Sequence, residues 1–305
     1  MFGYAKCPNP VQPISRFVAH LVVYSSLYTA AMMAAMVYLS CLLQGLPFDL
    51  AAAAILALVV FAVYNLNRKT DEEEDVVNHT ERYSFTKKYE TILFRSAIMA
   101  FILAFCLSAL QGVGSLLITT IPLAAGVIYS VPLFPARFGF RRLKEVPFMK
   151  SLIVAISWTL PATFLPICHA GLSAGAATGI VGVFFLVQTF TNTVVYDIRD
   201  LEGDVASGIR TIPTIFGSGR TLLLLTGMNA VIGTALVLAG GTLPGSYAMQ
   251  VMGVGMVYTL GYLLCFRRFG TEKLSFELFT DGEFILLAII LYLLTLVVTH
   301  LPITT

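Results

Sequence analysis

Two short stretches carry most of the reactive side chains in this sequence. The first runs from Asn67 to Asp75 and holds five carboxylates in nine residues: Asp71, Glu72, Glu73, Glu74 and Asp75. The second runs from Tyr196 to Asp204 and holds Asp197, Asp200, Glu202 and Asp204. Each contains a polar side chain followed by two aspartates at intervals of four: Asn67, Asp71, Asp75, and Tyr196, Asp200, Asp204. On a helix that interval stacks a trio on one face, with neighbours about 6 Å apart along the axis. Like charges so spaced repel, so a cation is expected between them. Hard divalent ions such as Mg2+ bind through one or two carboxylates plus the phosphates of a substrate. Two separate aspartate pairs therefore suggest two metal sites, Asp71 with Asp75 and Asp200 with Asp204, facing each other across a phosphate group.

The elements that must position these acids are hydrophobic. The 305 residues are 57% hydrophobic and 12% charged, with a mean hydropathy of +0.84. Soluble domains carry about a quarter charged residues, so the composition indicates an integral membrane protein. A net charge of +2, with bases balanced locally by acids, argues against a nucleic-acid partner. The five cysteines are scattered singly and read as small buried hydrophobes. The stretch from Met1 to Arg16 has three prolines and no apolar core, so the first span is expected to direct insertion itself.

Apolar segments long enough to cross a bilayer fall near 18–43, 48–66, 91–110, 115–131, 148–168, 176–196, 214–240, 246–266 and 284–302, which makes nine spans. The segments between them alternate. Those near 44–47, 111–114, 169–175 and 241–245 are short and nearly uncharged, whereas 67–90, 132–147, 197–213 and 267–283 are long and charged. Placing the N-terminal segment and the four charged loops with their flanking helix ends on one side collects all 19 lysines and arginines there. By the positive-inside rule that side is cytoplasmic and the C-terminus lies outside. Of the 17 acids only Asp49 falls on the quiet side. Acids contribute little to orientation, so their crowding points to a polar site on the cytoplasmic face. Gly171, Gly175 and Gly179 repeat at a spacing that lets a neighbouring helix approach closely.

The acid pairs sit at the cytoplasmic ends of the second and sixth spans, where a cleft can open to the cytoplasm while its walls run into hydrocarbon. A ligand with a phosphate head and a long apolar tail fits that shape. Arg82, Lys144, Lys150, Arg199 and Arg210 lie in the same loops and suit phosphate oxygens. The whole pattern resembles the UbiA superfamily of intramembrane prenyltransferases, marked by N-x-x-x-D-x-x-x-D in one loop and Y-x-x-x-D-x-x-x-D in another. Asn78 and Arg82 match the N-x-x-x-R after the first motif. Tyr129-Ser130-x-Pro132 and Arg142-Leu143-Lys144 with Lys150 match the segment after the fourth span, and Gly208 to Pro213 resembles the run after the second motif. The chain departs from the pattern at Thr80, Tyr83, Ser151 and Ile209.

The resemblance implies a single domain over 1–305, with nine helices around a central cavity and a cytoplasmic cap of loops. It also implies Mg2+-dependent transfer of an isoprenyl group from its diphosphate to a lipophilic, often aromatic, acceptor, with no protein partner. Asp71 and Asp75 would hold one of two Mg2+ ions and Asp200 and Asp204 the other. Asn67 would orient the diphosphate or a metal-bound water, and Arg82, Lys144, Lys150 and Arg210 would neutralise the leaving group. Tyr129 and Tyr196 would face the allylic cation, or Tyr196 would hydrogen-bond the head group. Glu74 and Asp197 are further ligands or helix-end acids. A UbiA-type terpene cyclase would use the same metals without an acceptor. A CDP-alcohol phosphotransferase keeps its aspartates in one continuous run, and a transporter keeps ionisable groups near the bilayer midplane. Neither matches two acid pairs more than a hundred residues apart at the cytoplasmic edge.

Overall fold

The structure, a computed structural model, describes residues 11–70, 80–130, 140–245, 247–269 and 273–300, with positions 132, 134, 135 and 137 between them. Asp71, Glu74, Asp75 and Asn78 lie outside the described residues. Among those described, the chain is helical: α1 Val11–Tyr24, α2 Leu27–Leu43, α3 Leu50–Thr70, α4 Thr80–Lys88, α5 Glu90–Gln111, α6 Val113–Ser130, α7 Met149–His169, α8 Ala176–Arg199, α9 Leu201–Ala206, α10 Ile212–Phe216, α11 Ser218–Gly240, α12 Ala248–Phe269 and α13 Lys273–His300. The helices α2, α3, α5, α6, α7, α8, α11, α12 and α13 each pack on the next, and α13 returns to α2, closing a ring. Apolar side chains on the outside, such as Met99, Leu103, Leu223, Val231 and Leu264, are exposed as a lipid-facing surface would be.

Where nine spans are expected, seven helices are long and apolar enough to cross a membrane, and an eighth arises if α1 and α2 count as one broken span. The stretch Val113–Tyr129 is a shorter apolar helix. The first expected span, 18–43, is bent by 62° between Tyr24 and Leu27. Ser26 adopts φ 69, which a continuous right-handed helix does not allow. The carbonyls freed at the break are met by α3: the Asn65 side chain donates to Ser25 O at 3.0 Å and Arg68 donates to Tyr24 O.

The charged segment 267–283 differs from the loop expected there. Helix α13 begins at Lys273, and its apolar stretch runs from Phe276 to Leu296, so Glu277, Asp281 and Glu283 lie inside a span. Hydropathy missed its start because these acids interrupt the apolar run, while tertiary partners satisfy them. Gln188 and Thr259 donate to Glu283 at 2.6 and 3.0 Å. The remaining charged loops also carry short helices, α4, α9 and α10.

Gly171, Gly175 and Gly179 do not mediate close helix contact, since a Cβ at each would meet nothing within 4 Å. Gly171 serves instead a left-handed turn, at φ +66, after α7. Close approach occurs between α11 and α12, where a Cβ at Gly240 would sit 3.0 Å from Met249 Cα.

At the end of the bundle away from the acids, His169 ties three helices together. Its Nδ1 lies 2.7 Å from Asp49 Oδ2 and its Nε2 2.9 Å from Ser115 Oγ. Asp49 also accepts from Ala52 N at 2.9 Å, capping α3, and Ser115 continues to Ser108 at 2.8 Å. Ser108 and Ser115 are fully buried. His169→Ala removes the partner these groups share and should destabilise the protein by about 1–3 kcal/mol. Thermal or denaturant unfolding of the purified protein measures that loss.

Candidate active site

Why Tyr196, Asp200 and Asp204 share a face is visible in the backbone. Helix α8 ends at Arg199, Asp200 bridges to α9, and the hydrogen bonds Asp200 N to Tyr196 O (2.9 Å) and Asp204 N to Asp200 O (3.0 Å) carry the helical ladder across the junction. All three residues line a cavity of about 290 Å3. Its walls also include Asn67 and Arg68 from α3, Arg82 from α4, Tyr129 from α6, Lys150 from α7 and Glu277 and Asp281 from α13. Six helices thus bring together Asn67, Arg82, Tyr129, Lys150, Tyr196, Asp200 and Asp204 from the residues singled out in the sequence.

In the structure Asp200 and Asp204 are each paired with a side-chain cation of their own. Lys150 Nζ donates to Asp204 Oδ1 at 2.6 Å and lies 3.2 Å from Asp197 Oδ1. Arg199 grips Asp200 with both oxygens engaged, at 2.8 and 3.0 Å, and reaches Glu277 at 3.1 Å. Arg82 adds a second contact to Glu277 at 3.6 Å. Ser151, where the family pattern often has asparagine, donates to Asp197. Asp197 is thereby an ion-pair partner of Lys150 within the site.

Lys144 and Arg210 do not line the cavity. Lys144 is fully buried behind it, with its ammonium 5.5 Å from the ring centroid of Tyr129, which does. The turn that holds Lys144 is fixed by Glu145, which accepts from Arg141 N at 2.7 Å and Arg142 Nε at 2.6 Å. Arg210 is exposed, and its carbonyl accepts from Phe148 N at 3.2 Å. Its side chain therefore has no place in the cavity wall, because the turn at Gly208 (φ +70) redirects the chain after α9.

Sequence reasoning passed over Arg68, Tyr64, Trp158, Glu277 and Asp281. Glu277 and Asp281 repeat the four-residue spacing of the two motifs, a signal hidden by reading 267–283 as a loop. Tyr64 of α3 and Trp158 of α7 line the inner part of the wall, and their rings stack with centroids 5.8 Å apart. Trp158 lies eight residues, about 12 Å, below Lys150 along α7. The cavity is polar at its mouth and aromatic at depth.

The donor set suits a hard cation. Asp204 is buried and its Oδ2 has no hydrogen-bond partner, a lone carboxylate oxygen of the kind Mg2+ takes. Among the described residues no three acids, histidines or cysteines form a metal cluster. Burial pushes the Asp204 carboxyl up to about 6 against the pull of Lys150, and Asp197 and Asp200 add to the rise.

The model of the UbiA prenyltransferase family matches residues 88–285. The chain belongs to that family. This UbiA prenyltransferase is 24% identical over 249 residues to a digeranylgeranylglyceryl phosphate synthase of Methanothrix thermoacetophila, covering 80% of the chain and 87% of the relative. A synthase of the same name from Methanopyrus kandleri is 30% identical over 189 residues, 61% of the chain and 65% of the relative. In fold, the prenyltransferase matches a UbiA homologue from Archaeoglobus fulgidus bound to GPP and Mg2+, with a TM-score of 0.62, 16% identity and coverage of 89% and 98%. It also matches an apo UbiA homologue from Aeropyrum pernix, with a TM-score of 0.65, 19% identity and coverage of 87% and 98%.

Because Asp204 is mostly neutral below about pH 6, a metal bound there must displace its proton. Affinity for Mg2+ should therefore fall as pH is lowered through 6, with proton release seen by calorimetry in buffers of different ionisation heat. Lys150→Met removes the charge that holds the Asp204 value down, and should move that weakening to higher pH.

Proposed function

We propose that this prenyltransferase moves an isoprenyl group from its diphosphate to a lipophilic acceptor inside the membrane, with Mg2+ at Asp200 and Asp204 and at Asp71 and Asp75. The observation that carries this reading is one cavity with Asp200, Asp204, Arg68, Arg82, Lys150 and Arg199 around its mouth and Tyr64 and Trp158 at its base. A diphosphate needs the first set and an isoprenyl chain the second. The structural relatives bound to GPP or DMAPP with Mg2+ support the same pairing of metal and substrate. Bound metal supplies positive charge to the departing diphosphate. Arg68 and Arg82 face the leaving group as guanidinium donors, Asn67 orients it through its side-chain amide, and the aromatic base excludes water from the allylic centre.

The relatives named digeranylgeranylglyceryl phosphate synthases favour a glyceryl phosphate lipid as the acceptor over an aromatic one. The concentration of all 19 lysines and arginines near the acidic side supports a cavity opening to the cytoplasm.

The test uses purified protein in lipid nanodiscs with Mg2+, geranylgeranyl diphosphate and either geranylgeranylglyceryl phosphate or an aromatic acid, with products identified by mass. Wild-type protein should yield the diether with the glyceryl phosphate. Asp200→Asn should lower that rate by about 100-fold or more while the protein still inserts and folds. Undiminished turnover in this variant removes Asp200 from the metal site.

A further inference from the structure

Joining an isoprenyl group to an acceptor displaces a proton. The allylic C–O bond breaks with its electron pair leaving on the diphosphate, and a new bond forms from an electron pair of the acceptor oxygen or ring. The proton that the acceptor carried must then go to a base. Inside a cavity walled by helices and lined by an aromatic pair, bulk water is a poor recipient, and a carboxylate in the wall is the fitting one.

Five described carboxylates line the cavity: Asp197, Asp200, Asp204, Glu277 and Asp281. Four are held by cations. Asp197 and Asp204 share Lys150, Asp200 is clasped by Arg199, and Glu277 meets Arg199 and Arg82. Protonating any of these four breaks an ion pair. Asp281 forms no ion pair among the described residues; the hydroxyls of Thr29 and Tyr196 stand beside it, and the positive charge acting on it is that of Arg199. The other titratable groups around it are Tyr28 from α2, Tyr64 from α3, Tyr262 from α12 and Glu277 on its own helix. It lies one turn, about 6 Å, beyond Glu277 along α13, toward the middle of the span. The remaining acid of that helix, Glu283, is fully buried, hydrogen-bonded by Gln188 and Thr259, and outside the cavity wall.

We propose that Asp281 is the general base of the transfer, taking the acceptor's proton onto its carboxylate as the new bond forms. This rests on the prenyl-transfer reading and adds to it the acceptor side of the reaction. The mouth of the cavity holds the diphosphate, and the acceptor's reacting atom lies below it, against α13 at the level of Thr29 and Tyr196. An ionisable group exposed to a cavity within a span is costly to keep there, and proton transfer is the use its surroundings fit.

The test compares wild type, Asp281→Asn, Asp281→Ala and Asp281→Glu as full-length protein in nanodiscs, with Mg2+, geranylgeranyl diphosphate and geranylgeranylglyceryl phosphate. Asp281→Asn and Asp281→Ala should each lower kcat by about 100-fold or more, with Mg2+-dependent binding of the unreactive geranylgeranyl thiolodiphosphate unchanged. Added formate should restore part of the Asp281→Ala rate, and Asp281→Glu should retain more activity than Asp281→Asn. A kcat for Asp281→Asn within threefold of wild type overturns the proposal. So does a fall in kcat matched by loss of thiolodiphosphate binding and not relieved by formate. Failure of wild type itself to consume geranylgeranyl diphosphate with any acceptor sinks the prenyl-transfer reading instead, and is seen before any variant is measured.

Discussion

A carboxylate inside a bundle of apolar helices is tolerable only when a cation or several donors meet it, because no water is there to do so. That constraint shapes this protein around Lys150 and Arg199. Lys150 joins the start of α7 to the end of α8 and to α9 through Asp197 and Asp204. Arg199 joins the end of α8 to α13 through Glu277, and its guanidinium stacks over Tyr196 at 4.6 Å. The two pairings fix which helix faces look inward, and the ring of helices closes around them.

The same ion pairs order the cavity from mouth to base. At the mouth positive and negative groups alternate, so an incoming diphosphate and its metal can exchange partners with groups already charged and oriented. Arg199 and Lys150 hold carboxylates in fixed geometry and need little reorganisation, which is where electrostatic preorganisation draws its effect. One turn further in, on α13, the cations stop and hydroxyls begin. Deeper on α3 and α7 the wall is mostly aromatic and aliphatic, where Tyr64 stacks on Trp158. Leaving group, reacting centre and hydrocarbon tail thus each meet a different medium within one cavity of about 290 Å3.

The polar groups outside the cavity obey the same rule without forming a site. His169, Asp49, Ser115 and Ser108 satisfy one another in a closed chain. Glu283 is met by Gln188 and Thr259, and Asn192 is engaged by Tyr262. Satisfied networks of this kind specify which helices adjoin. What separates them from the cavity is access, because their atoms face each other and those of the cavity face open space.

Composition and periodicity alone established a helical membrane protein, and the four-residue spacing of Tyr196, Asp200 and Asp204 placed them on one face, because the two i to i+4 hydrogen bonds that link them across the helix junction turn spacing into geometry. The family resemblance was equally legible, since it rests on residue types at fixed intervals. Only the tertiary structure decided which cation met which carboxylate. Lys150 and Arg199 are separated by 49 positions, and no local rule assigns Lys150 to Asp204 or sends Lys144 behind the cavity while Arg210 turns outward. It alone revealed Glu277 and Asp281 as wall residues, because a hydropathy window averages a charged helix face with its apolar one and reads their sum as a loop. The bend at Ser26 was likewise decided in three dimensions: the donors that satisfy its freed carbonyls, Asn65 and Arg68, come from a different helix some forty residues away.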